Sequence, residues 1–184
     1  MVLLESIALE LGMTMPRFKL ETPNGVPHAS NELNGSKGLL VVFTCNHCPY
    51  AIAIWERLIE LSKWAKPLGI NTVAVNPNIN PSYPDDSPEA MLKKIDEWGI
   101  PFPYLVDTDQ SVAKSFQAQC TPDLYLLNAD HELVYHGRLD DNWQQPDLVT
   151  KQELKAAIEA LSQDRAISST QLPSMGCSIK WNNA

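Results

Sequence analysis

Two apolar runs, "LLVVF" at 39–43 and "INTVAV" at 70–75, bracket a helical stripe, and this triplet constrains the fold most. Short β-rich runs without polar alternation suit strands buried on both faces of a sheet. Between them Ala51, Ile54, Trp55, Leu58, Leu61 and Ala65 recur at helical spacing, and Pro67 and Gly69 end the pattern. Strand, helix and strand in that order call for a parallel pair joined by a right-handed crossover.

The flanking segments extend this unit. "RFKLE" and "VPHAS" flank the turn signal "TPNG" and predict a peripheral N-terminal hairpin. Ser87 is set to cap a helix over 88–98, with Pro88 in its first position. "FPYLVD" predicts a short strand and Gln110–Gln117 a short helix. "DLYLLN" and "ELVYHG", joined by "ADH", predict an antiparallel hairpin. Thr150, with Glu153 three residues on, predicts a capped helix over 150–163. The fold class is therefore α/β: a central mixed sheet with helices on both faces. We expect one domain over residues 1–163 and an extended tail over 164–184 that carries Cys177.

A chain of 184 residues is long enough to build that core without metal or disulfide staples. The net charge of -8 argues against nucleic acid or an anionic membrane surface as partner. "MVLLESIALELGMTMPRF" has no basic start and is interrupted by Glu5 and Glu10, so it does not resemble a secretory leader. The expected setting is cytoplasmic, where structural disulfides are rare. The four cysteines then suggest chemistry, a metal or plain core.

"FTCNHCPY", residues 43–50, follows the first apolar run directly. Cys45 and Cys48 there form a Cys-x-x-Cys pair at a helix start, with Asn46 as the expected N-cap and Pro49 in the first turn. Three readings are open. A zinc site normally needs a second tight ligand pair, and Cys120, Cys177, His131 and His136 are scattered. Inert core thiols are a second reading, since cysteine is commonly buried. The third is a redox couple, because the positive end of a helix favours a thiolate. On that reading Cys45, at the strand end, is the accessible attacking thiol and Cys48 resolves the mixed disulfide. His47 between them tunes the thiolate. No metal and no bound organic cofactor is expected.

With these segments placed, the chain resembles the thioredoxin-fold redoxins, in particular the peroxiredoxin-like branch related to alkyl hydroperoxide reductase and thiol-specific antioxidant. The likeness runs from about Pro16 to Leu161. It rests on "PRFKLETPNG", "GLLVVFTCNHCPY", "YPDDSPEAM", "FPYLVDTDQSVAKSF", "CTPDLYLLN" and "GRLDD", with "PSMGCSIKW" at the end. The resemblance implies a thioredoxin-like fold. It implies that Pro122 is a cis-proline facing the cysteines, and that Thr121 and Pro122 bind an extended substrate. Cys120 and Cys177 are auxiliary redox candidates, Cys177 as a thiol resolving a bond with Cys120 or with another chain. Asp140, Asp141 and Trp143 are candidates for the groove rim.

Two departures from the family pattern stand out. Leu39 occupies the place of a buried carboxylate that thioredoxins use as proton acceptor. Aligned on "CP", a peroxide-attacking cysteine would be Cys48, with Cys45 in place of a threonine and Arg138 as the candidate arginine. The expected activity is thiol–disulfide exchange with protein or small-molecule thiols and disulfides. An external reductant, such as a thioredoxin or glutathione system, completes the cycle. The alternatives are a thiol peroxidase acting on hydroperoxides and a non-enzymatic metal- or partner-binding module.

Overall fold

In the computed structural model, which describes residues 2–182, β4 (Gly38–Phe43) is wholly buried at the centre of the main sheet. It pairs in parallel with β5 (Ile70–Asn76), Val41 opposite Val73. On its other side it pairs antiparallel with β8 (Asp123–Asn128), Val41 opposite Tyr125. β6 (Tyr104–Val106) runs parallel to β5, and β9 (Leu133–His136) closes a hairpin with β8. β2 (Lys19–Glu21) and β3 (Pro27–Ala29) form the expected N-terminal hairpin, and β2 joins β6. Among the described residues the order is β3-β2-β6-β5-β4-β8-β9.

Alternation along β4 decides which helix packs where. Leu40 and Val42 face α2 (Pro49–Ala65), α3 (Pro88–Trp98) and α5 (Glu153–Ser162) through Leu58, Met91 and Leu154. Leu39, Val41 and Phe43 face α1 (Ser30–Leu33) and α4 (Ser111–Ser115) through Leu33, Val112 and Phe116. Both faces of the sheet are thus covered, as an apolar strand without alternation requires.

Ser87 accepts a bond from the Ala90 N–H and starts α3, as its sequence predicts. Thr150 does not cap α5. Gln152 is the N-cap, and the Thr150 hydroxyl instead bonds the Asp141 carboxylate. Gly99 ends α3 at φ +59, a left-handed position that glycine takes without strain.

The chain ends do not simply trail. β10 (Met175–Ser178) pairs antiparallel with β1 (Leu3–Glu5) and with β7 (Cys120–Thr121) in a second, three-stranded sheet. The tail expected to be extended is a docked strand. It is held further by Ile179 N–H to the Gln119 carbonyl oxygen (3.2 Å) and Lys180 N–H to Asn78 Oδ1 (2.8 Å). No helix among the described residues is long and apolar enough to cross a membrane.

Candidate active site

β4 ends at Phe43 and α2 begins at Pro49, so residues 44–48 form the bridge between them. Proline at the first helical position makes Cys48, not Asn46, the N-cap. Asn46 instead fixes the loop: its amide donates to the Asp85 carbonyl oxygen at 2.8 Å, and its Oδ1 accepts from the Tyr104 hydroxyl at 3.1 Å.

Cys45, Cys48, Ala51 and Cys177 form one buried cluster, and all four cysteines are thiols. Cys48 Sγ lies 2.7 Å from Cys177 Sγ and 3.1 Å from the Thr121 carbonyl oxygen. Cys45 Sγ lies 3.2 Å from Thr121 Oγ1. The Thr121–Pro122 bond is cis, as the resemblance implies, and Thr121 meets both sulfurs.

The thiols are electrostatically unequal. Hydrogen bonding from the Cys45 thiol, then from the Cys177 thiol and the Ala51 and Cys177 backbone N–H groups, pulls Cys48 down to about 5 against burial. Burial first, then the bond to Cys48 and the Asp86 charge, hold Cys45 well above its ordinary value. Burial and the bond to Cys48 push Cys177 up to about 12, with Lys180 opposing. Of the three sulfurs Cys48 is therefore the one most readily ionised; as a thiol it donates to the Thr121 carbonyl oxygen.

This corrects the expectation that Cys45 is the accessible, ionised sulfur. Cys45 is fully buried, one loop before the helix, and does not reach the positive helix end that Cys48 occupies. Cys48 is also fully buried, beneath β10.

His47 bonds the Asp86 carboxylate through Nδ1 and stacks on Tyr83, ring centroids 4.6 Å apart. Asp86 also accepts from the Asn46 N–H (2.6 Å) and the Asn76 amide (3.1 Å). This carboxylate, fully buried, is the functional neighbour that sequence reasoning missed. "YPDDSP" reads only as a loop that leads into the next helix. The only local signal is the short turn between Pro84 and Ser87 that buries one of its two aspartates.

Cys45, His47 and Asp86 each offer a ligand atom within 4.8 Å of the others. They are one ligand short of a structural zinc set, and His47 and Asp86 already bond each other.

Cys120 lies outside that cluster of thiols. Its sulfur meets the Pro122 carbonyl oxygen at 3.5 Å, and burial followed by the Asp123 charge raises its thiol far beyond the neutral range. Beside Pro122 a cavity of about 310 Å³ is lined by Arg138, Asp140, Asp141, Trp143 and Ser174 among others, which brings the three candidate rim residues together. Trp143 packs on Tyr50 at 4.1 Å. Trp55 is core, against Trp98 and Tyr104. Arg138, the candidate peroxide-holding arginine, pairs with Glu153.

A family model described as Redoxin matches residues 10–158. The chain belongs to the Redoxin family. Thiol-disulfide oxidoreductase ResA of Bacillus subtilis (strain 168) is 27% identical over 123 residues, covering 67% of this chain and 64% of ResA. The chain thus spans just under two thirds of the length of the curated relatives it matches. A solved structure of an uncharacterized conserved protein from Geobacillus kaustophilus is 39% identical, with a TM-score of 0.94 over 100% of this chain and 98% of that one. Peroxidoxin BcpB from Mycobacterium tuberculosis superposes with a TM-score of 0.62 over 86% of this chain and 100% of that one. At 15% identity that likeness is one of fold. The thioredoxin-like architecture of this redoxin is the one read from its sequence.

Proposed function

We propose that this redoxin is a thiol–disulfide oxidoreductase in which Cys48 is the attacking sulfur. The observation that carries the reading is the Cys48 thiol at the N-cap of α2, held near 5 by two neighbouring thiols and the backbone N–H groups of Ala51 in the helix and Cys177 in β10. A thiolate at neutral pH is the nucleophile of disulfide exchange. Two thiols, Cys45 and Cys177, adjoin it, so attack on a disulfide can be completed within one chain. The name of the ResA relative supports the same class of reaction.

The substrate class is a protein or small-molecule disulfide. It approaches the Thr121–Pro122 edge and the cavity beside it. A dithiol system of the thioredoxin or glutathione kind returns the protein to its reduced form. The test is turnover of bis(2-hydroxyethyl) disulfide and of insulin with a thiol reductant. Cys48→Ser is expected to abolish both; full turnover by that variant overturns the reading.

Peroxide reduction is the second reading, favoured by a single observation: the Cys48–Pro49 step at a helix N-terminus. Against it stands the engagement of Arg138 with Glu153. Stopped-flow oxidation by hydrogen peroxide distinguishes the two. A rate no faster than that of a free thiol at the same ionisation rejects the peroxidase and the antioxidant role it implies.

A further inference from the structure

Strand β10 occupies the place an extended substrate needs. It pairs with β7 at the edge beside cis-Pro122, Cys177 opposite Thr121, and seals Cys48 from solvent. Its fit there is close. A Cβ on Gly176 would stand 2.0 Å from the Thr121 carbonyl oxygen, so only glycine lets this strand seat. Ser174 adds a hydroxyl bond to the Pro122 carbonyl oxygen at 2.8 Å. The seating delivers Cys177 Sγ to 2.7 Å from Cys48 Sγ.

We infer that β10 is a built-in substrate strand and that its Cys177, rather than Cys45, is the thiol that closes a disulfide with Cys48. This inference rests on the oxidoreductase reading and names a further catalytic residue within it. Cys45 then serves as the buried thiol that holds the Cys48 thiolate by a hydrogen bond.

The step balances as follows. β10 lifts from β7, and the Cys48 thiolate attacks one sulfur of a substrate disulfide; the other leaves as a thiolate and takes a proton. β10 reseats. Cys177 gives up its proton, attacks Cys48 Sγ of the mixed disulfide and expels the second substrate thiolate, which is protonated. The substrate gains two electrons and two protons and becomes two thiols. Cys48 and Cys177 lose two electrons and the single proton of Cys177, the second proton coming from solvent because Cys48 starts as a thiolate, and become a disulfide, which an external dithiol reduces. The link from α5 to β10 is suited to this movement, because residues 163–173 are largely exposed and without regular structure.

The test uses the reduced full-length chain, bis(2-hydroxyethyl) disulfide, acid quench and non-reducing peptide mass mapping. The expected linkage is Cys48–Cys177, in wild type and in Cys45→Ser. Cys177→Ser is expected to accumulate a 2-mercaptoethanol adduct on Cys48 and to lose about tenfold or more in turnover, since resolution then needs an external thiol. Gly176→Ala, which changes no thiol, is expected to lose the cross-link and to let iodoacetamide reach Cys48 about tenfold faster or more. A Cys45–Cys48 linkage with wild-type turnover in Cys177→Ser overturns the inference and leaves the oxidoreductase reading intact. So does an undiminished Cys48–Cys177 yield in a folded Gly176→Ala whose Cys48 stays protected. Turnover surviving Cys48→Ser is a different result and overturns the reading beneath it.

Discussion

The Thr121 hydroxyl stands 3.2 Å from the Cys45 sulfur, while the carbonyl oxygen of the same Thr121 stands 3.1 Å from Cys48. One residue therefore contacts both sulfurs. Cys45, fixed in this way, is the largest contributor to the low Cys48 value. A hydrogen bond to a charged group is worth about 1.5–3 kcal/mol. At about 1.4 kcal/mol per pKa unit, Cys45→Ala should raise the Cys48 value by roughly one to two units. Cys45→Ser keeps a donor and should raise it less. The ultraviolet absorbance of the thiolate, titrated on reduced protein, checks both; equal values in the two variants would show that the donor is irrelevant.

That same titration carries a stability consequence. The folded value of Cys48, about 5, lies below its ordinary 9.0. Its contribution to reduced-state stability is then complete above about pH 9, declines as pH falls, and is lost as pH drops through 5. Denaturant unfolding of reduced wild type and Cys48→Ser should show a gap that narrows steadily from pH 8 to pH 5. A gap that is constant or widens on acidification contradicts a thiolate at this position.

Asp86 is a buried carboxylate with the Asn46 N–H, the Asn76 amide and His47 as its donors. Asp86→Asn leaves His47 facing a neutral amide in a dry site. Breaking a buried pair costs about 3–5 kcal/mol, and each kcal/mol lowers Tm by about 2–4 °C in a chain of this size. A fall of roughly 6–20 °C is expected by calorimetry, and the Cys45 thiol should ionise more readily once the Asp86 charge is gone. If the pair is what holds this site, a chelator leaves the wild-type Tm unchanged. A fall in Tm on chelation would assign Cys45, His47 and Asp86 to a cation instead.

What the sequence made legible follows from where the determining contacts lie. The β4–α2–β5 unit, the hairpin of β2 and β3 and the Ser87 cap are each set by neighbours along the chain, and each appears as expected. The expected exposure of Cys45 and the expected cap at Asn46 were also local readings, and neither holds. Proline favours the first helical position, and that places the N-cap at Cys48 rather than Asn46. Asp86 and β10 were not legible. An aspartate in a Pro-rich loop and a cysteine on a tail acquire meaning only when the fold sets them against residues 40 and 129 positions away in sequence.

Trp143 supplies a last prediction, because it joins the cavity beside Pro122 to the start of α2. Its ring lies 4.1 Å from that of Tyr50, and it lines the cavity together with Arg138 and Asp141. An aromatic at such an edge offers apolar area to a polypeptide that a small disulfide is too short to cover. Truncating a central aromatic anchor typically costs about 2 kcal/mol or more in binding. Trp143→Ala should therefore raise KM for insulin by about tenfold or more while leaving kcat little changed. Turnover of bis(2-hydroxyethyl) disulfide, which is too short to cover this edge, should stay near wild type. Equal losses on both substrates would place the effect of Trp143 on the helix start and its thiolate rather than on substrate binding.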